Sequence, residues 1–261
     1  MDTSMLFSLN GRTALVTGGS RGIGRMIASG LLAQGAKVYI TARKEAACNA
    51  AAAELAAIGD CVSLPGDVAT MSGIDRLVSE ISARESSLEI LVNNAGAAWN
   101  APFDDFPEAG WDKVMAINTK APFFLTQKLV PLLTPLPGRG LSKVINIASV
   151  DGLTLDHNPT FSYHASKAGI IHLTNRMAVE LAPRGINVTA IAPGAFASEM
   201  NVAARDHAAE IAAIVPAGRI GEPEDMAAAA IYLASRAGDY VVGTTLTVDG
   251  GVSHTRGALV R

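Results

Sequence analysis

Short apolar runs alternate with helical stretches along the whole 261-residue chain. Seven runs read as strands, at 13–17, 37–42, 61–64, 90–93, 143–149, 187–192 and 245–248. Most are near-continuous in apolar residues, the pattern of parallel strands covered on both faces. Between them, apolar residues recur at helical spacing over 23–34, 44–58, 73–84, 111–133, 163–181 and 224–234. Gly35, Gly59 and the pair Pro183 and Gly185 stop three of these segments. Repeated strand–helix units joined by right-handed crossovers give an α/β fold, a doubly wound parallel sheet of about seven strands with helices on both faces. No repeat, low-complexity tract or linker divides the chain, so 1–261 is expected to form a single domain.

Ligands of such sheets sit at the carboxyl ends of the strands. The run Thr17-Gly18-Gly19-Ser20-Arg21-Gly22-Ile23-Gly24 lies there, after the first strand and at the start of the first helix. Glycines let backbone approach a pyrophosphate, and a helix N-terminus offers unpaired N–H groups and partial positive charge. The spacing is G-x-x-x-G-x-G rather than the G-x-G-x-x-G of the ordinary dinucleotide fingerprint. Gly18 to Gly22 also reads as G-x-S-x-G, the elbow that carries the nucleophile of α/β-hydrolases. Asp249 and His254 follow in hydrolase order, which makes Ser20 a rival nucleophile. Residues 195–215 form the one long excursion between a strand and the next helix, and suit a segment that covers substrate.

Composition narrows the field. Charged residues make up 17% of the chain against 49% hydrophobic, a charge content below the usual quarter or so, so part of the surface is expected to meet other subunits. Net charge is −3 and the basic residues are scattered, which excludes a nucleic-acid footprint. Cys48 and Cys61 lack metal-ligand spacing and fit a reducing, cytoplasmic setting. No signal-peptide pattern opens the chain, and no apolar run reaches the length of a membrane span.

Ser149 ends a strand, and Tyr163 and Lys167 follow, four residues apart on one helix face. A free tyrosine has a pKa near 10, and moving it to about 7 takes roughly 4 kcal/mol of preference for the phenolate. One ammonium about 4 Å away supplies an interaction of about that size at an effective dielectric of about 20. Tyr-x-x-x-Lys thus makes a general acid/base. A tyrosine and a lysine so spaced also decorate ordinary helix surfaces; the serine at a carboxyl strand end tips the balance.

Over essentially its whole length the chain resembles the short-chain dehydrogenase/reductase family, with its Rossmann-like sheet. The matching motifs are Thr17–Gly24, Asp67-Val68, Asn93-Asn94-Ala95-Gly96, Asn118, Ser149, Tyr163-His164-Ala165-Ser166-Lys167, Pro193-Gly194 and Val248-Asp249-Gly250-Gly251. The resemblance implies that Tyr163 exchanges the proton, that Ser149 orients the substrate carbonyl, and that Lys167 lowers the tyrosine pKa and holds the nicotinamide ribose. It implies that Asn118 supports a water-mediated proton relay, that Asn93 to Gly96 stabilise the sheet beside the cofactor, and that Asp67 and Val68 contact adenine. Gly18, Ser20, Arg21, Gly22, Ile23 and Gly24 would hold phosphates, while Pro193, Gly194, Phe196 and Ser198 would border the nicotinamide. Two departures stand out: the gap from Ser149 to Tyr163 is one residue longer than usual, and Ser198 stands where the family often has threonine. The hydrolase reading fares worse, because its elbow normally follows an inner strand and no HGGG-type segment is present. A non-catalytic nucleotide-binding scaffold remains the third reading.

Trp99, Leu153, Leu155, Phe161, Phe196 and Met200 lie on segments flanking the expected site, and Trp99, Leu153 and Phe196 are the favoured substrate contacts, beside Ser149 and Tyr163. His157 sits in the insertion; His164, about 100° round the helix from Tyr163, suits a surface role. Within the family the chain is similar to bacterial 3-oxoacyl reductases, including the rhamnolipid-associated type. That implies a ketone or 3-oxoacyl thioester as substrate, with Arg184 placed to meet an acyl carrier protein. The coenzyme is expected to be NADP(H): the second strand ends in Ala42 and Arg43 without the carboxylate that binds a ribose 2′-hydroxyl. Arg43 and Arg21 together suit a 2′-phosphate. A homotetramer is expected, with helices 111–133 and 163–181 pairing across one interface and the C-terminal region completing another.

Overall fold

The computed structural model describes residue 3 and residues 5–255. Strands β1 (Thr13–Thr17), β2 (Lys37–Thr41), β3 (Cys61–Ser63), β4 (Ile90–Asn93), β5 (Ser142–Ile147), β6 (Ile186–Pro193) and β7 (Thr245–Val248) form one sheet in the order β3-β2-β1-β4-β5-β6-β7. Every pairing is parallel. This is the Rossmann-like doubly wound arrangement, with its switch point between β1 and β4.

Both faces are covered because neighbouring strand residues point to opposite sides. Val16, Val38 and Ile40 pack under α1 (Gly22–Ala33), α2 (Glu45–Leu55) and α9 (Pro223–Ala234). Leu15, Leu91 and Val144 pack under α3 (Met71–Ser82), α5 (Ala121–Leu133) and α6 (Phe161–Leu181). Helices α1 and α9 touch through Gly30, where an added Cβ would lie 2.6 Å from the Ala227 Cβ.

Two expectations change. The helix expected over 111–133 begins earlier, as α4 (Glu108–Met115), and passes through a π-turn at Ala116–Lys120 before α5. One inserted residue shifts the hydrogen bonds without moving Ile117 and Ala121 off the buried side, so apolar spacing does not reveal it. The excursion 195–215 carries two short helices, α7 (Val202–Asp206) and α8 (Ala208–Ile214). The Asn201 side chain caps α7 by accepting from the Ala204 N–H.

Candidate active site

The β1 end is stitched to the β4 end at the switch point. Thr17 Oγ1 accepts from the N–H groups of Asn94 and Ala95 at 2.9 and 3.0 Å, and Asn94 Nδ2 donates to the carbonyls of Thr17 and Gly18 at 2.8 and 3.2 Å. Below them Asn93 donates to Thr126 and Asn146, and Asn146 donates to Thr174 on α6, a buried polar ladder across two strands. The glycine loop turns where Gly18 and Gly22 adopt φ of 65° and 52°, values that disfavour a side chain. A Cβ on Gly24 would fall 2.3 Å from the Gly18 carbonyl oxygen and 2.4 Å from Asn94 Nδ2. The start of α1 therefore sits against the loop, with its first N–H groups lacking intrahelical acceptors.

These features open into a cleft of about 1130 Å³ along the carboxyl ends of the strands. It is lined at one end by Gly18, Ser20 to Gly24, Arg43, Asp67, Val68 and Asn94 to Gly96. At its middle are Ser149, Tyr163, Lys167, Pro193 and Gly194, with Phe196 and Ser198 beside them. Arg21 reaches across the cleft to an ion pair with Glu199. A glycine cradle, a bare helix N-terminus with Arg21 at its start and Arg43 where the β2 chain leaves the sheet fit a phosphorylated dinucleotide.

Ser149 is extended backbone at the end of the β5 chain and caps the short turn Val150–Gly152, its Oγ accepting from the Asp151 N–H at 3.1 Å. Its proton is thereby left to donate elsewhere. Tyr163 lies in the first turns of α6, and the Lys167 Nζ sits 5.4 Å from the Tyr163 ring centroid. Lys167 is buried and donates to the Ile147 carbonyl at 2.7 Å. Burial pushes its pKa down to about 8, opposed by the nearby Asp151 carboxylate. The close approach of the 150–152 turn to α6 requires Gly152, whose added Cβ would be 2.6 Å from the Lys167 carbonyl.

Asn118, in the π-turn, does not line the cleft. Its Oδ1 accepts from the Ala97 N–H, and its Nδ2 donates to the Ala97 carbonyl and to Ser166 Oγ, each at 2.9 Å. Trp99 and Leu153, expected against substrate, do not line the cleft either. Trp99 is packed on Gly110 beneath the Lys113 ammonium, and Leu153 follows the short turn and is half exposed. Phe161 stacks edge-on with Phe103 and Phe106 outside it. The apolar wall instead comes from Leu155, in the inserted loop, and from Met200, Val202, Ile211, Ile214 and Val215 of the α7–α8 segment. The last four were not singled out from the sequence, because nothing in a short apolar helix tells which cavity it roofs. His157 lines the cleft, whereas His164 turns towards Thr160 and Asp156, at 3.4 Å from the latter's carboxylate.

A phenol and a buried ammonium, opposite a serine hydroxyl with its proton free to donate, make a proton-exchange centre next to a dinucleotide cradle. That combination defines a dinucleotide-dependent oxidoreductase. A family model described as enoyl-(acyl carrier protein) reductase matches residues 18–253, and the chain belongs to the short-chain dehydrogenase/reductase family. It is 45% identical over 249 residues to the rhamnolipids biosynthesis 3-oxoacyl-[acyl-carrier-protein] reductase of Pseudomonas aeruginosa, covering 94% of this chain and 97% of that one. The Pseudomonas aeruginosa RhlG/NADP active-site complex superposes with a TM-score of 0.92 at 43% identity, over 95% of this chain and 99% of that chain. A gluconate 5-dehydrogenase from Burkholderia cenocepacia, in complex with NADP and tartrate, gives 0.88 at 35% identity, over 97% and 99%. The chain is thus an oxidoreductase that interconverts a ketone and a secondary alcohol. Membership removes the serine-hydrolase and scaffold readings. Asp249, the acid of the former, accepts from the N–H groups of Gly251 and Ser253. Among the described residues no helix is long and apolar enough to cross a membrane.

Proposed function

We propose that the protein reduces a hydrophobic ketone, a 3-oxoacyl thioester by class, with NADPH. The observation that carries this reading is the composition of the cleft beyond Tyr163. Its α7–α8 wall is aliphatic at Met200, Val202, Ile211, Ile214 and Val215, facing a polar 156–160 loop, and the full cations lining the cleft among the described residues, Arg21, Arg43 and Lys167, all lie on the cofactor side or beneath the tyrosine. A sugar acid would find its carboxylate unpaired there and Asp151 and Asp156 nearby; an alkyl chain would bury apolar surface.

NADPH, when bound, supplies a hydride for the carbonyl carbon. The Ser149 hydroxyl donates to the substrate oxygen and orients it, and the Tyr163 phenol gives its proton to that oxygen as the alcohol forms. The Lys167 ammonium favours the phenolate left behind. Asn118 serves the refilling of that proton through its backbone, since both N–H bonds of its amide are engaged and the side chain does not line the cleft. Gly18, Ser20, Gly22, Ile23 and Gly24 bind the phosphates, and Arg21 and Arg43 bind the 2′-phosphate. Asp67 and Val68 border the adenine, with Asn94, Ala95 and Gly96 along the cofactor edge. Pro193, Gly194, Phe196 and Ser198 flank the nicotinamide, and 195–215 covers the substrate. The chain acts as one catalytic unit, assembled as a cytoplasmic homotetramer. Unpaired cysteines at 48 and 61 and exposed Trp111, Phe161 and Val179 on the two pairing helices support this.

The test is kcat/KM with NADPH and NADH for 3-oxoacyl thioesters of increasing chain length and for a keto sugar acid. Lengthening the acyl chain from four to ten carbons should raise kcat/KM at least about ten-fold, with NADPH preferred. A sugar acid turned over better than every thioester would contradict the substrate class; preference for NADH would contradict the coenzyme.

A further inference from the structure

The catalytic helix and the π-turn meet at one buried hydroxyl. Ser166 Oγ donates to the Tyr163 carbonyl at 2.8 Å and accepts from Asn118 Nδ2 at 2.9 Å, and the residue is fully buried. One residue along, Thr119 Oγ1 donates to the Ser166 carbonyl at 3.2 Å. Two successive π-turn residues are therefore tied to the same α6 residue, through its side chain and its backbone. The other bonds of the Asn118 amide run to Ala97, in the chain beyond β4. Ser166 thus joins the cofactor-side loop, the π-turn and the backbone of Tyr163. A π-turn has the length of an α-helix plus one residue, so its register against a neighbouring helix is set by such contacts rather than by its own hydrogen bonds.

We propose that Ser166, with Thr119 beside it, is a positioning residue: it fixes the π-turn against Tyr163 so that the proton leaving the tyrosine is replaced at full rate. Ser166 does not line the cleft; it acts through Asn118 and Tyr163. This rests on the acid/base assignment of Tyr163. Removing the hydroxyl leaves one Asn118 N–H buried without its acceptor and frees the turn to shift, while the glycine loop and the aliphatic wall keep their contacts.

The experiment compares Ser166→Ala, Ser166→Thr and Thr119→Val with the wild type. Ser166→Ala should lower kcat about ten-fold and enlarge the solvent isotope effect on kcat, with KM for the ketone and Kd for NADPH nearly unchanged. Ser166→Thr, which keeps the hydroxyl, should restore most of kcat. Hydrogen exchange at 116–120 should quicken in Ser166→Ala with or without turnover, which separates this proposal from failure of the tyrosine assignment. Should Ser166→Ala not fold, Thr119→Val should still raise the solvent isotope effect and lower kcat by a smaller factor. A thermal-stability loss with wild-type kcat and isotope effect would overturn the proposal, as would an equal loss of kcat and NADPH affinity.

Discussion

Lys167 carries the most costly charge of the site. Held at about 8 rather than 10.5 by burial, its ammonium disfavours the fold by about 3 kcal/mol at neutral pH. Between those two values the unfolded chain binds a proton that the folded one lacks, so this residue makes stability rise with pH through that window. Below about 8 the charge is present and, on the proposed mechanism, available to the tyrosine; above it the charge is lost. Ketone reduction should therefore decline as pH rises through about 8, read from the kcat profile. Lys167→Met should abolish turnover while the cofactor-free protein melts no lower than wild type at pH 7. A fall in Tm of more than about 5 °C would show that the ammonium stabilises the fold. The spacing of Ser149, Tyr163 and Lys167 was readable because strand ends and helix faces are regular. Trp99 and Leu153, expected against substrate, lie off the cleft lining, because an apolar residue near a site does not announce whether it faces the cavity or a neighbouring glycine such as Gly110.

At the scale of elements, the glycine loop is where sequence and geometry agree most closely. Gly24 brings the first turn of α1 against the Gly18 carbonyl and the Asn94 amide. Gly24→Ala should push these apart and weaken dinucleotide binding at least about ten-fold, measured as Kd by fluorescence titration. Unchanged affinity would mean that the loop shifts to accommodate a methyl group. Strands 13–17, 90–93 and 245–248 were legible to the residue, as short runs of apolar and β-branched residues. The π-turn was not, since Asn118 and Lys120 satisfy helical spacing equally well. The helices α7 and α8 were hidden by their brevity: five and seven residues are too few for a periodic pattern.

For the molecule as a whole, alternating strands and helices foretold the parallel sheet and hence a site at the carboxyl ends. How copies assemble is less legible, because an exposed apolar residue reads in sequence like a core one. Phe103, Trp111, Phe161 and Val179 stand exposed around α4 and α6, a surface that fits a two-fold pairing of helices. Light scattering at micromolar concentration should give the mass of four 26.9 kDa chains; a monomer alone would contradict the assembly. The central claim is that Tyr163 is the acid of an NADPH-dependent ketone reduction, and it is tested most directly by Tyr163→Phe assayed with a medium-chain 3-oxoacyl thioester. The account predicts turnover lowered by about 100-fold or more, with NADPH Kd and Tm close to wild type. Near wild-type turnover in that variant would contradict it.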